Sequence, residues 1–220
     1  MKLKYLPLLI FSMVLFVSCK EEGKQEDKLI AENIAETQKL SEAELLDTVQ
    51  KQTLKYFWDF AEPNSGMARE RYHPDGNYPK NDKHVVTTGG SGFGLMAIVA
   101  GVERGFIPKD SALARLNKIA DFLDAAPRFH GAWSHWLNGE TGDVQAFGEK
   151  DNGGDIVETS FLAQGFIVVR EYLKNGTEEE KAVAAKYDKL WKGIEWNWYT
   201  NNKDGIYWHR SPDYECEMDF

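Results

Sequence analysis

The sequence predicts an all-α protein of the toroid kind, in which outer and inner helices alternate along the chain. Three observations lead there. Five helical segments are legible from three- and four-residue apolar spacing, two of them are apolar on nearly every side, and no run of period-two alternation supports a large sheet. The two apolar segments come second and fourth. A simple four-helix bundle would make every helix amphipathic and gives no reason for that order, whereas an all-round apolar helix belongs in an interior. The alternative is an all-α globule with two central helices.

The first helix is expected to open on a capping box, Ser41 followed by Glu44, and to end before Pro63. Leu46, Val49, Thr53, Phe57 and Phe60 mark its apolar face. The second, residues 92–104, begins with the unbroken apolar run from Phe93 to Ala100 apart from Gly94. The third, residues 109–125, is amphipathic through Leu113, Leu116, Ile119 and Leu123. The fourth, residues 155–174, carries Ile156, Val157, Phe161, Leu162 and the run from Phe166 to Val169. The fifth, residues 178–199, returns to one face through Val183, Tyr187, Leu190, Trp191, Ile194 and Trp198. Residues 205–209 read as a short strand. Residues 62–90 and 127–154 are unusually long connections, each before an apolar helix, and long loops in a compact domain are functional or disordered. These two are rich in aromatics, Arg, His and Asp, which favours function. If both inner helices start at the same end, the two loops meet there and form a cleft.

A chain of 220 residues suggests about one domain and can bury roughly 70% of its unfolded surface, so it needs no disulfide framework. The net charge of −9 and pI of 5.1 argue against a nucleic-acid partner, which requires a basic patch. Two cysteines exclude a disulfide scaffold and a Cys-rich metal centre. A mean hydropathy of −0.50 excludes a polytopic membrane protein.

Residues 1–18 read as an export signal. Lys2 and Lys4 precede an apolar core at residues 6–17, too short for the roughly 20 residues of a membrane-spanning helix. Val17-Ser18-Cys19 resembles a lipobox, in which Cys19 becomes the lipidated first residue; an ordinary cleaved signal with a chance cysteine is the alternative. Residues 19–40 are polar and charged and read as a tether, and Lys20-Glu21-Glu22 resembles a surface-export tag. The expectation is an outer-membrane lipoprotein held by its lipid anchor only, with Cys216 left unpaired.

The chemistry concentrates before the fourth helix. Asp151, Asp155 and Glu158 place three carboxylates within eight residues at the entry to a buried segment. Burial raises a carboxyl pKa and close neighbours push two values apart, so such a group can supply one acid and one base, as glycosidic hydrolysis requires. The competing reading makes Asp155 an N-cap and Glu158 its capping-box partner. Trp133 and Trp136 offer flat faces for sugar rings, or close the core under the loop. His130 and His135 are structural partners or site residues, without the helical His/Glu spacing of a zinc site. Arg69 and Arg71, flanking Glu70, can bind substrate hydroxyls or form a loop salt bridge. The glycine run at residues 89–94 matches no phosphate-binding loop and reads as a tight turn with close helix packing. No Ser or Cys nucleophile motif is present.

Tyr56-Phe57-Trp58-Asp59-Phe60, Met67-Ala68-Arg69-Glu70-Arg71, Thr88-Gly89-Gly90-Ser91-Gly92-Phe93-Gly94-Leu95-Met96, Gly153-Gly154-Asp155-Ile156-Val157-Glu158-Thr159 and Ser211-Pro212-Asp213-Tyr214 occur in one order. Together they resemble the bacterial glucoamylase-like domain family that includes the endo-β-1,2-glucanases of glycoside hydrolase family 144. The resemblance implies an (α/α)6 toroid, no metal or organic cofactor, inverting hydrolysis of a β-glucan, and an acidic cleft containing Asp151, Asp155 and Glu158. Such toroids use more helices than the five legible here, so residues 41–220 read as the N-terminal part of one. The rival readings are a glycan-binding surface lipoprotein without turnover, an inactive truncated product and a toroidal polysaccharide lyase.

Overall fold

The computed structural model describes residues 40–214; the export signal, Cys19, the tether up to residue 39 and Cys216 lie outside the described residues. The chain divides between Gln50 and Lys51 into two compact units, with helix α1 (Glu42–Trp58) running across the division. In the first unit the expected capping box forms. Ser41 N and Oγ donate to Glu44 Oε2 at 2.8 and 2.7 Å, and Glu44 N donates back to Ser41 Oγ at 3.3 Å.

The second unit holds the rest of α1 and four further helices: α2 (Thr88–Glu103), α3 (Lys109–Ala125), α4 (Ile156–Leu173) and α5 (Glu178–Lys192). Five α-helices among the described residues match the five expected, with shifted ends. From α1, Leu54 rather than Thr53 enters the core, with Phe57 and Trp58 partly buried beside it, whereas Leu46 and Val49 of the expected apolar face are exposed. The α5 helix stops at Lys192 instead of Tyr199. Gly193, the residue of lowest helix propensity in that stretch apart from proline, takes the C-cap, and Trp198 starts a separate 3-10 turn at Trp198–Thr200. An unanticipated capping box opens α5: Thr177 N donates to Glu180 Oε2 at 2.7 Å, and Glu180 N to Thr177 Oγ1 at 3.3 Å.

The two apolar segments run side by side from the same end and bury the faces they share, but not every side: Phe93 is 48% and Val157 40% exposed. The glycine run is helical rather than a turn, so α2 begins at Thr88, four residues earlier than expected. The absence of side chains is what seats it. A Cβ on Gly92 would stand 2.2 Å from the Phe161 carbonyl oxygen, and one on Gly165 would stand 2.6 Å from the Gly92 carbonyl oxygen. Glycine costs roughly 0.5–1 kcal/mol per helical position relative to alanine, and here backbone-to-backbone approach offsets that cost. Around this pair lie Leu95, Ile98, Leu162, Phe166 and Val169, met by Leu116, Ile119 and Leu123 of α3 and by Val183, Tyr187 and Leu190 of α5. Each fully buried side chain of this size contributes about 1.5–3 kcal/mol. Tyr187 ties α5 to α3 by donating to the Leu116 carbonyl at 2.7 Å.

Two short antiparallel ladders fasten the long connections to α2 and α4. Strand β1 (Val85–Thr87) pairs with β2 (Trp136–Asn138), placing Thr87 opposite Trp136. Strand β3 (Gly154–Asp155) pairs with β4 (His209–Arg210), placing Asp155 opposite His209. The strand expected at residues 205–209 is thus displaced to the last of those residues and the next. No helix among the described residues is long and apolar enough to cross a membrane.

Replacing Gly92 by valine is expected to lower stability by about 1–3 kcal/mol through overpacking. Gly148→Ala, where an added Cβ meets nothing within 4 Å, is expected to change it by less than about 0.5 kcal/mol. Urea unfolding midpoints of the two variants measure the contrast.

Candidate active site at the paired helix starts

The N-termini of α2 and α4 share one carboxylate. Gly89 N, at the start of α2, donates to Glu158 Oε2 of α4 at 3.1 Å. A Cβ on Gly89 would stand 2.1 Å from that oxygen, so a larger residue there would push the Glu158 carboxylate aside. The two long connections meet here as expected: Thr88 N donates to the His135 carbonyl at 3.0 Å, and β1 of the first connection pairs with β2 of the second.

Asp155 caps α4, with Oδ1 accepting from Glu158 N at 2.9 Å. The capping box is only half made. Asp155 N donates to the Trp133 carbonyl at 2.9 Å, so Glu158 does not reach back and its side chain points into the site instead. Asp155 is 2% exposed, and its Oδ2 accepts the Trp208 indole N–H at 2.9 Å. Between the two acids lies His135. Its Nδ1 is 3.5 Å from Asp155 Oδ2 and its Nε2 is 3.7 Å from Glu158 Oε1, ion-pair rather than hydrogen-bond distances. The imidazole lies flat on Trp136, with ring centroids 3.5 Å apart and planes 8° from parallel. Trp136 donates its indole N–H to Glu70 Oε2 at 2.8 Å, and Phe147 packs edge-on against it.

Burial governs the titration of these groups. It pushes the Glu158 carboxyl above its ordinary 4.5, helped by the negative charges of Asp155 and Glu70 and opposed by His135 and the Gly89 N–H. Burial likewise pushes Asp151 above 3.8, against the Phe147 N–H, which it accepts at 3.4 Å, and the charges of His135 and His209. For His135 burial pulls the other way, but Asp155, Glu158 and Asp151 outweigh it and hold the imidazole above 6.5. His209 is pulled below 6.5 by burial, and its Nε2 accepts from Gly153 N at 3.2 Å, as a neutral ring can. The same end of the molecule therefore retains protons on Glu158, Asp151 and His135 to higher pH than water would allow.

The structure brings together Asp151, Asp155, Glu158, His135 and Trp136. It sets others apart. Trp133 is fully buried, donates its indole N–H to the Leu123 carbonyl at 3.1 Å and meets Phe166 edge-on. It closes the core and offers no face to a sugar. Arg69 is also turned inward, its guanidinium donating to the Phe60 and Lys83 carbonyls, and so holds the loop together rather than binding substrate. Arg71 is nearly half exposed and faces Glu70 and Asp82. His130 stacks on Trp198 and contacts Glu195 at 2.8 Å, away from these groups. Sequence reasoning missed Glu70, Trp208 and His209. Glu70 was hidden between two arginines chosen for their donors, and Trp208 and His209 enter only through the pairing of β4 with β3.

No family model matches the chain. Over 183 residues it is 50% identical to the exo-β-1,2-glucooligosaccharide sophorohydrolase (non-reducing end) of Parabacteroides distasonis, a match covering 81% of this chain and 24% of that protein. Its structure matches the endo-β-1,2-glucanase of Chitinophaga pinensis, solved with sophorotriose and glucose, with a TM-score of 0.80 at 60% identity. That match covers 82% of this chain and 43% of the other. A β-1,2-glucanase structure from Parabacteroides distasonis matches with a TM-score of 0.73 at 47% identity, over 80% of this chain and 25% of that one. The chain spans less than half the length of each of these relatives. The all-α toroid class stands, with five of its helices present among the described residues. Over about four-fifths of its own length, the chain is thus similar in sequence and structure to bacterial β-1,2-glucanases, of which it spans less than half.

Proposed function

We propose that this chain carries part of the active site of a glycoside hydrolase that cleaves β-1,2-glucan with inversion. The observation that supports it most is the convergence of Asp151, Asp155 and Glu158 on His135, in a chain 60% identical to an endo-β-1,2-glucanase. Inversion needs one carboxylic acid to protonate the leaving oxygen and one carboxylate to activate water on the opposite face. Glu158 suits the acid. Its side chain is 19% exposed, burial keeps it protonated to higher pH, and its Oε1 takes no hydrogen bond among those described. Asp155, with both oxygens engaged, suits the role of orienting His135. Trp136, half-buried, carries His135 on its face with Phe147 edge-on against it, and so lines the site as the wall behind His135. We further propose export as a lipoprotein acylated at Cys19 in the outer membrane, supported by the signal core and the residues that precede that cysteine.

Three outcomes test this reading. The protein should release reducing ends from β-1,2-glucan, and Glu158→Gln should lower the rate at least about 100-fold; equal rates would remove Glu158 from the chemistry. The same variant should be more stable than the parent at pH 7. A carboxyl whose folded pKa is raised binds its proton more tightly in the folded state, so its contribution is complete below about 4.5 and is lost as pH rises through the folded value. Glutamine keeps the acceptor for Gly89 N and escapes that loss, which pH-dependent urea unfolding of the pair reads directly.

The tryptophans should separate. Trp136→Ala should raise KM for glucan, whereas Trp133→Ala should cost about 3–5 kcal/mol of stability; substrate titrations and unfolding curves distinguish them. Cys19→Ser should abolish metabolic incorporation of labelled palmitate and release the protein from the membrane fraction.

A further inference from the structure

Asp82 is the anomaly of the first long connection. It is 1% exposed, and neither carboxylate oxygen accepts a hydrogen bond. A buried carboxylate in that condition is costly unless a cation answers it. The cation is Arg71, whose Nη1 stands 3.6 Å from Asp82 Oδ2 and whose Nη2 stands 3.7 Å from Glu70 Oε1. Glu70 uses its other oxygen to accept the Trp136 indole N–H at 2.8 Å, and Trp136 is the surface on which His135 lies. Each member limits the freedom of the next. Asp82 confines a guanidinium that is otherwise half in solvent, the guanidinium turns Glu70, and Glu70 sets the indole plane.

We propose that Asp82, acting through Arg71, Glu70 and Trp136, is a positioning residue that holds the His135 ring in the plane from which its two nitrogens meet Asp155 and Glu158. The chain of contacts runs entirely through side chains, across loop segments that the β1–β2 ladder and the Arg69–Val86 bridge bring together. Its effect on rate rests on the hydrolytic reading above; its effect on His135 does not.

The experiment follows the His135 ring resonance against pH in the histidine-labelled protein, assigned by its loss in His135→Gln. Asp82→Asn, Arg71→Met and the double variant are compared with the parent. The charges facing His135 are Asp155, Glu158 and Asp151, with His209 nearby. A ring that drifts from those acids loses their support, so each single variant should lower the His135 midpoint by about half a pH unit or more. The double variant should do no more than the larger single, since both cut one chain. On β-1,2-glucan, kcat should fall about tenfold, and KM, which Trp136 also governs, should rise by less than that fall.

An unchanged His135 midpoint in folded variants overturns the proposal, as do additive effects. A rise in KM at constant kcat in Arg71→Met also overturns it, by making Arg71 a direct glycan contact. Should either single variant fail to fold, the double variant, which removes the buried carboxylate together with its cation, decides alone through the His135 midpoint. Should the parent not hydrolyse β-1,2-glucan, the functional reading falls while the His135 titration still decides this one.

Discussion

The approach of α2 to α4 is the constraint on which the rest depends. At Gly92 and Gly165 the two backbones come closer than any side chain would permit. That contact sets both helices parallel with their N-termini together. Once it is made, the Gly89 N–H has one carboxylate within reach, and that carboxylate belongs to Glu158. The long connections then have no choice of meeting place, because each ends at one of these two helix starts. A larger residue at the crossing would separate the helices and with them the Gly89 N–H from the Glu158 carboxylate.

One physical cause accounts for most of the site's electrostatics. Burial pushes Glu158 and Asp151 towards their neutral forms, and packs His135 among acids that raise its affinity for a proton despite its own burial. The arrangement is unfavourable for folding at neutral pH, since charged groups are held out of water with incomplete pairing. It is favourable for transferring a proton to a leaving oxygen, which needs a carboxyl group that is still protonated where water would have stripped it. The half-made capping box belongs to the same account. Had Glu158 folded back onto Asp155 N, α4 would gain a local hydrogen bond and the site would lose its projecting acid. The Trp133 carbonyl takes that N–H instead, so core packing around Trp133 is what frees Glu158.

Helix existence and order were legible because periodicity is a local property. The alternation of amphipathic and apolar segments set α2 and α4 apart from the other three helices, and the capping residues Ser41 and Asp155 marked two helix starts. The acidic trio was legible as a cluster because its three members lie within eight residues of one another, although acids at a helix start serve capping as well as chemistry. Helix ends were less so. The glycine run looked like a turn because glycine is a poor helix former in isolation, and only the neighbouring backbone of α4 explains its presence inside a helix. Likewise Trp198 fits the apolar face of α5 by spacing, yet Gly193 ends that helix before it is reached.

The class of the fold, the pairing of the two apolar helices, the acidic cluster at the start of the fourth helix and the resemblance to β-glucan hydrolases are all written locally, because each rests on spacing, composition or motif order along the chain. Tertiary structure alone decided which aromatic faces the site and which closes the core. Trp133 and Trp136 are three residues apart and chemically identical, and strand pairing with β1 exposes one while the other is drawn under Leu123 and Phe166. It also decided that Arg69 faces inward, that Glu70, Trp208 and His209 join the site, and that Asp82 stands behind them. Those assignments depend on contacts between residues far apart in sequence, and no local pattern encodes the direction in which a loop side chain will point.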